Sequence, residues 1–254
     1  MTIKNERLQY ILDTVRQHGK TTVAELSERF GISDITTRRD LKELEEQGVI
    51  RRAHGGAVYA VKKQEEAPVI QRMLANQAEK EKIAVAAAQL IQDNDSVFIG
   101  SGSTTTIVAH HLRDRQNLTV VTNAISVVVE LASYGNVTVI VLGGMLRAGE
   151  LSMVGHITEQ ALREVRVDKV IFGMRAVDVR AGLTNDYLPE VMTDRAILDM
   201  GSNLILVADH SKFGQIASAY VAPVERVTTL VTDDKTDPHI LEQIHQLGVK
   251  IMIA

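Results

Sequence analysis

At 254 residues the chain exceeds the ~100–200 usual for one domain, so two domains are the first expectation. Its 45% hydrophobic and 24% charged residues suit a protein that buries a core, and they exclude disorder as a global description. The absence of cysteine excludes a disulfide scaffold, a zinc–cysteine finger, an iron–sulfur centre and a thiol nucleophile, and with no tryptophan and 4% aromatics the core must be aliphatic.

No apolar run approaches the ~18–20 residues that span a bilayer. Charges interrupt the N-terminal MTIKNERLQYILDTV where a secretory signal needs an apolar centre. The expected setting is cytoplasmic, with no membrane partner. The net charge of −4 is unevenly spread: residues 1–62 carry 11 Lys/Arg against 9 Asp/Glu, and residues 63–254 carry 17 against 23. This asymmetry suggests two modules with different partners.

Residues 5–18 place Leu8, Ile11, Leu12 and Val15 at helical spacing, and Gly19 follows as a stop. Thr22 and Glu25 are spaced as a capping box for a short helix, VAELSERF, with Val23, Leu26 and Phe30 on one face. Gly31-Ile32 makes a tight turn, and Ser33 caps a third helix over 34–47 that ends at Gly48. This order is a helix-turn-helix pattern. Residues 49–52 and 57–60 read as two short strands around His54-Gly55-Gly56, a small wing, and the expected DNA-binding domain spans residues 1–60.

A recognition helix enters the major groove N-terminal end first. Ser33, Thr36, Thr37, Arg38 and Arg39 stand at that end, and Lys42 lies one turn past Arg38. Threonine suits a thymine methyl, and arginine forks onto guanine or phosphate. Leu41 and Leu44 face the other way, to hold the helix down. Arg51, Arg52 and His54 extend the basic surface along the wing. Two adjacent arginines alone would read as solvated charge. The turn, the cap and the basic wing together point to double-stranded DNA.

Residues 61–75, with a charge run and Pro68, break the periodicity and read as a linker. A second domain over 76–254 opens with a helix over 77–92. Strand candidates follow at 96–100, 118–122, 137–142, 169–173, 203–208, 227–232 and 249–253. They are continuous Val/Ile/Leu runs, as in parallel strands buried on both faces. Helix candidates at 104–112, 124–133, 158–165, 190–200 and 238–246 alternate with them. The expected fold class is α/β: an N-terminal winged helix-turn-helix followed by a doubly wound, mostly parallel sheet.

The segment VFIGSGSTTTIVAHHL (97–112) is a strand, a Gly/Ser/Thr-rich loop and a helix. Its helix N-terminus offers backbone N–H groups at Ser101, Gly102, Ser103, Thr104 and Thr105, with hydroxyl donors beside them, a fit for a small phosphate. No lysine follows in Walker fashion and the spacing misses a dinucleotide fingerprint. Other strand ends gather polar residues where ligands of open α/β sheets collect: Thr122 and Asn123; Gly143, Gly144 and Arg147; Asp209, His210, Ser211 and Lys212. Lys212 suits a phosphate as a point charge. Asp209 suits a sugar hydroxyl, or an ion pair with Lys212. No cofactor and no metal are expected.

The stretch AELSERFGISDITTRRDLKELEEQGVIRRAHGGA resembles the DeoR-type transcriptional regulators, whose signature is an arginine-arginine-aspartate-leucine recognition helix followed by a histidine-glycine-glycine wing. Thr37 stands where that family usually has an aliphatic residue. The resemblance implies a repressor of carbohydrate-metabolism genes, released from its operator by a phosphorylated sugar. It also implies a sensor domain similar to ribose-5-phosphate isomerase and the coenzyme A transferases, and it adds Glu190 to the expected effector site. Gly100 replaces the family's usual aspartate, Asp194 a lysine, and Arg175 a small residue. One short recognition helix buries little surface, so a homo-oligomer, dimer or tetramer, on two half-sites is expected. A different class of reading is a sugar-phosphate isomerase fused to a DNA-binding module, with Asp209, Glu190 and Lys212 as candidate acid and base groups. A third keeps the DNA-binding oligomer but leaves its pocket vestigial.

Overall fold

The computed structural model describes residues 4–46, 50–53, 55–59 and 66–254. Among these described residues the chain forms two compact units, divided between Gln64 and Glu65.

The first unit contains α1 (Lys4–His18), β1 (Lys20–Thr22), α2 (Val23–Phe30), α3 (Asp34–Glu46), β2 (Ile50–Ala53) and β3 (Gly56–Tyr59). The capping box forms as spaced: Glu25 N–H donates to Thr22 Oγ1 at 3.2 Å, and Thr22 N–H donates to the Glu25 carboxylate at 2.8 Å. Gly31 then closes α2 in the left-handed region (φ 61°), where a side chain is costly. Ile11, Val15, Val23, Leu26, Leu41, Leu44 and Ile50 bury together as the core. Buried Asp40 accepts from Arg7 Nε at 2.9 Å and ties α3 to α1. The wing hairpin lies at 50–53 and 56–59, a residue from the expected positions. Its sheet has a third strand, in the antiparallel order β1-β3-β2. The three residues of β1 are too few to display an alternation period.

The second unit opens with α4 (Val69–Arg72), α5 (Gln77–Ala88), β4 (Ser96–Ile99), α6 (Ser103–His110), β5 (Leu118–Thr122), α7 (Ile125–Leu131) and β6 (Val137–Val141). A hairpin of β7 (Met145–Arg147) and β8 (Ser152–Val154) leads to α8 (His156–Glu164) and β9 (Lys169–Phe172). Then come β10 (Ala176–Asp178), β11 (Gly182–Asn185), α9 (Leu188–Leu198), β12 (Leu204–Val207), β13 (Ala219–Ala222), β14 (Thr229–Thr232), α10 (Pro238–Gln246) and β15 (Lys250–Ile253). The seven apolar runs become one parallel sheet, ordered β15-β14-β12-β9-β4-β5-β6.

Alternation along each strand feeds two cores. Phe98, Val170, Phe172, Leu204 and Leu206 join one apolar cluster, while Val97, Ile99, Ile171, Ile205 and Val207 join another with α5, α6 and α7. A strand's side chains point to opposite faces in turn, so both faces of the sheet are covered. From β4 the chain winds outward through β5 and β6. It then returns to β9, on the other side of β4, and winds outward through β12, β14 and β15. The winding direction reverses between β4 and β9, which leaves a crevice at their carboxyl ends.

Three expectations need correction. The helix expected over 77–92 stops at Ala88. The linker expected over 61–75 is built into this unit from Glu66 onward, while residues 61–65 lie outside the described residues. Val69 is 1% exposed, its N–H donates to the Gly149 carbonyl at 2.8 Å, and Arg72 pairs with Glu66 and Glu150. Glu66 and Arg72 of that charge run thus make internal pairs. The hairpin β7–β8 and the antiparallel sheet β10-β11-β13 were not expected, because strands of three or four residues carry no periodic signal.

Candidate DNA-binding surface and effector cleft

Arg38 and Arg39 project from α3 into solvent, with no ion-pair or hydrogen-bond partner among the described residues. Lys42 is exposed nearby. Ser33 Oγ accepts from Thr36 N–H at 3.3 Å and bonds to Thr36 Oγ1 at 3.0 Å, so these two hydroxyls cap the helix. Arg52 is exposed, and its N–H donates to Glu45 Oε1 at 3.0 Å, tying the wing to α3. The Arg51 side chain and His54 lie outside the described residues. Thr37 is not a base contact: it is fully buried, and its hydroxyl bonds to Ser27 Oγ at 2.9 Å. It fastens α3 to α2. Sequence reading passed over Ile35, which is 80% exposed at the start of α3 and presents an apolar surface beside the arginines. The signal existed, since nine residues before buried Leu44 is two and a half turns, the opposite side of the helix.

In the second unit, the carboxyl ends of β4, β9 and β12 open into a cleft of about 560 Å³, including its mouth. Ser101–Thr105, Gly173–Arg175, Asp209 and Lys212 line it. Glu66, Arg72, Arg147, Glu150, Asn185, Glu190 and Asp194 complete the wall. Gly102, at φ 138°, turns the chain from β4 into α6. The first-turn N–H groups of α6 have no partner within the helix. Ser103 and Thr104 are 4% and 7% exposed; their hydroxyls, and that of Ser101, have no hydrogen-bond partner among the described residues. The Thr105 hydroxyl, expected as a donor to ligand, donates instead to the Gly102 carbonyl at 3.0 Å. Gly100 supplies no side chain, though a Cβ there would meet neighbours only at ordinary contact distances.

Each cation of the cleft is paired. Arg72 binds Glu66 (3.0 Å) and Glu150. Arg147 binds Glu190 and stacks over Tyr187, 4.5 Å from the ring centroid. Arg175 faces Asp186 at 3.2 Å. Lys212 pairs with Glu66 at 3.3 Å, not with Asp209 as one expectation had it. Asp209 caps the turn that carries Lys212, accepting from Ser211 N–H at 3.0 Å and from Asn76 Nδ2 at 2.9 Å. Burial acts to raise its carboxyl, but those hydrogen bonds outweigh it and hold the group below the usual range. Asn185 Nδ2 donates to Glu190 at 3.0 Å and to Asp194 at 2.7 Å. Burial, reinforced by the Glu190 charge, raises the Asp194 carboxyl well above its ordinary value. No group of acidic, histidine or cysteine residues among those described has an arrangement that could hold a metal ion.

Four expected effector residues are absent from the cleft. Thr122 Oγ1 donates to the Ile99 carbonyl at 2.6 Å, and Asn123 Nδ2 donates to the Met153 carbonyl at 2.9 Å; both are buried structural links. The Gly143 carbonyl accepts from Thr158 Oγ1 at 2.8 Å. At Gly144 a Cβ would lie 2.0 Å from that same Oγ1, so packing demands glycine there. These residues end β5 and follow β6, on the outer side of the sheet away from the reversal point. Glu66, Arg72, Glu150 and Asn185 were missed. Arg72 and Glu150 are 78 residues apart, a pairing that no local pattern announces.

Residues 7–63 match the DeoR-like helix-turn-helix domain, and residues 75–234 match the DeoR C terminal sensor domain. The chain is 35% identical over 250 residues to the transcriptional repressor AccR of Agrobacterium fabrum, covering 98% of this chain and 97% of that one. It is 35% identical over 230 residues to the glycerol-3-phosphate regulon repressor of Escherichia coli K12, covering 91% of each. Ribose 5-phosphate isomerase A from Methanocaldococcus jannaschii aligns over 55% of each chain, at 16% identity and a TM-score of 0.41. A DNA-binding unit with an exposed arginine pair, a sensor unit with a polar cleft and similarity along nearly the whole length place the chain in one group: it belongs to the DeoR family of transcriptional regulators.

Proposed function

We propose that the chain is a repressor of carbohydrate-metabolism genes that acts in the cytoplasm as a homo-oligomer on paired half-sites. Its effector is a phosphorylated sugar or polyol, whose phosphate sits at Ser101–Thr105 with Lys212 nearby. One observation carries the effector reading: Ser103 and Thr104, largely buried residues, turn hydroxyls with no protein partner among the described residues toward the cleft, on the first turn of a helix whose N–H groups are free to bind an anion. Arg147, Asn185, Glu190 and Asp194 then supply donors and acceptors for hydroxyl groups at the other end.

The isomerase reading fares less well. Lys212 and Glu190 are tied up in ion pairs and Asp209 caps a turn, so none is poised as a free base. The test is calorimetric titration of the full chain with inorganic phosphate and a panel of aldose, ketose and polyol phosphates. Thr104→Val should weaken binding at least tenfold, since a charge-assisted bond contributes ~1.5–3 kcal/mol. Wild-type affinity in that variant, or no binding by any compound, overturns the effector reading. Turnover of any panel member restores the enzyme.

A further inference from the structure

The position of Glu66 suggests how occupancy of the cleft reaches the DNA-binding unit. Glu66 lines the cleft, and its side chain is only 11% exposed. Its carboxylate bridges Arg72 Nη1 at 3.0 Å and Lys212 Nζ at 3.3 Å, two cations that line the same cleft. Burial works against the charge on Glu66, but Arg72, Lys212 and Arg175 outweigh it and keep the carboxyl below its ordinary range. The backbone holds this residue weakly. Val69, three positions on, is anchored by its N–H bond to Gly149 and by full burial, whereas the Glu66 backbone makes no hydrogen bond among the described residues. Glu66 is the second residue of the sensor unit, so it adjoins the covalent junction with the DNA-binding unit.

We propose, resting on the phosphate site above, that Glu66 is a built-in competitor: in the empty protein its carboxylate holds Lys212 and Arg72, and an entering phosphate takes Lys212 and expels it. A dianion and a carboxylate cannot both be satisfied by one ammonium in a partly buried site. The ligand therefore does more than fill space. It breaks the electrostatic clasp that fixes the start of the sensor unit, where the chain arrives from the DNA-binding unit. This gives the ligand a differential affinity for two arrangements, which any allosteric effect requires.

The test is calorimetric titration of the full chain with inorganic phosphate, comparing wild type, Glu66→Gln and Thr104→Val. Removing the competitor should tighten phosphate binding by up to about fivefold, the upper measure of one such ion pair. In parallel, hydrogen–deuterium exchange of wild-type residues 66–72 should accelerate as phosphate is added. This second readout needs no substitution, so it decides the matter even if Glu66→Gln folds poorly. Unchanged phosphate affinity in Glu66→Gln, or increased protection of 66–72, overturns the competitor. If Thr104→Val still loses phosphate in that case, the phosphate site stands without it. Absence of phosphate binding in both wild type and Glu66→Gln overturns both proposals.

Discussion

Arg72 is the keystone of the cleft wall, and its truncation has a cost that pH should tune. The guanidinium binds both oxygens of Glu150, the Glu66 carboxylate and, through Nε at 2.9 Å, the Ala67 carbonyl. In Arg72→Ala the buried Glu150 carboxylate loses its counter-ion. Breaking a buried pair from one side typically costs ~3–5 kcal/mol, unless the orphan takes up a proton. Protonation sets a ceiling at pH 7: about 1.36 kcal/mol for each pH unit above the ordinary carboxyl value of 4.5, or about 3.4 kcal/mol. Glu150 already lies above that value, because burial raises it more than Arg72 lowers it, so the true figure falls somewhat below the ceiling. At pH 5 the same term shrinks to about 0.7 kcal/mol. Loss of the Ala67 hydrogen bond, ~1 kcal/mol, does not depend on pH in this range, whereas the loss at Glu66, whose carboxyl Arg72 holds below its ordinary range, shrinks toward pH 5 as that at Glu150 does. For a unit of this size each kcal/mol moves the midpoint by about 2–4 °C. Scanning calorimetry of the sensor-unit transition should show a deficit of up to about 9–18 °C at pH 7 that falls to about 3–7 °C at pH 5. Adding Glu150→Gln to Arg72→Ala should recover most of the loss at pH 7. An equal deficit at both pH values, or no recovery in the double variant, would refute the reasoning.

Other outcomes follow from the same geometry. Thr37→Val keeps operator affinity within twofold in a mobility shift, whereas Arg38→Ala and Arg39→Ala each lose ~1–3 kcal/mol per half-site; a large loss for Thr37→Val would return that residue to the interface. Thr37→Val together with Ser27→Ala should be nearly neutral for stability, since both partners of one hydrogen bond are removed. Burial and the Glu190 charge raise the Asp194 carboxyl well above its ordinary value, so between the unfolded and folded values the fold binds a proton that the unfolded chain releases. Stability is therefore lost as pH rises above about 3.8, until Asp194 ionises in the folded state. Asp194→Asn should flatten that slope and melt higher than wild type at neutral pH; a parallel pH profile in the two proteins would count against it.

The parallel sheet was legible because its strands are nearly continuous apolar runs, mostly Val, Ile and Leu, and burial on both faces permits that pattern. The helix-turn-helix was legible because its signals are local: the Thr22–Glu25 box, Gly31 and the Leu41/Leu44 face. Local reasoning failed where a residue's partner is remote. Thr37 looked like a surface threonine because its hydrogen-bond partner, Ser27, belongs to another helix. Glu66 and Arg72 looked like a solvated charge run because Glu150 and Lys212 lie far along the chain. Strand ends were treated alike, and so Thr122, Asn123, Gly143 and Gly144 were placed in a site that forms only where the winding reverses, at β4, β9 and β12. Residues at the reversal point, Ser101–Thr105, Asp209 and Lys212, do converge.

The internal pairing of Arg72, Arg147, Arg175 and Lys212 bears on how long the protein lasts in the cell. A repressor works while empty, so its empty form must resist proteolysis when the metabolite is scarce. An anion pocket built from unopposed cations would repel itself and unfold more often without its ligand, tying protein abundance to metabolite supply. Here Glu66, Glu150, Glu190 and Asp186 already serve as counter-ions. In the proposed repressor this pairing would insulate the amount of protein from the supply of its effector.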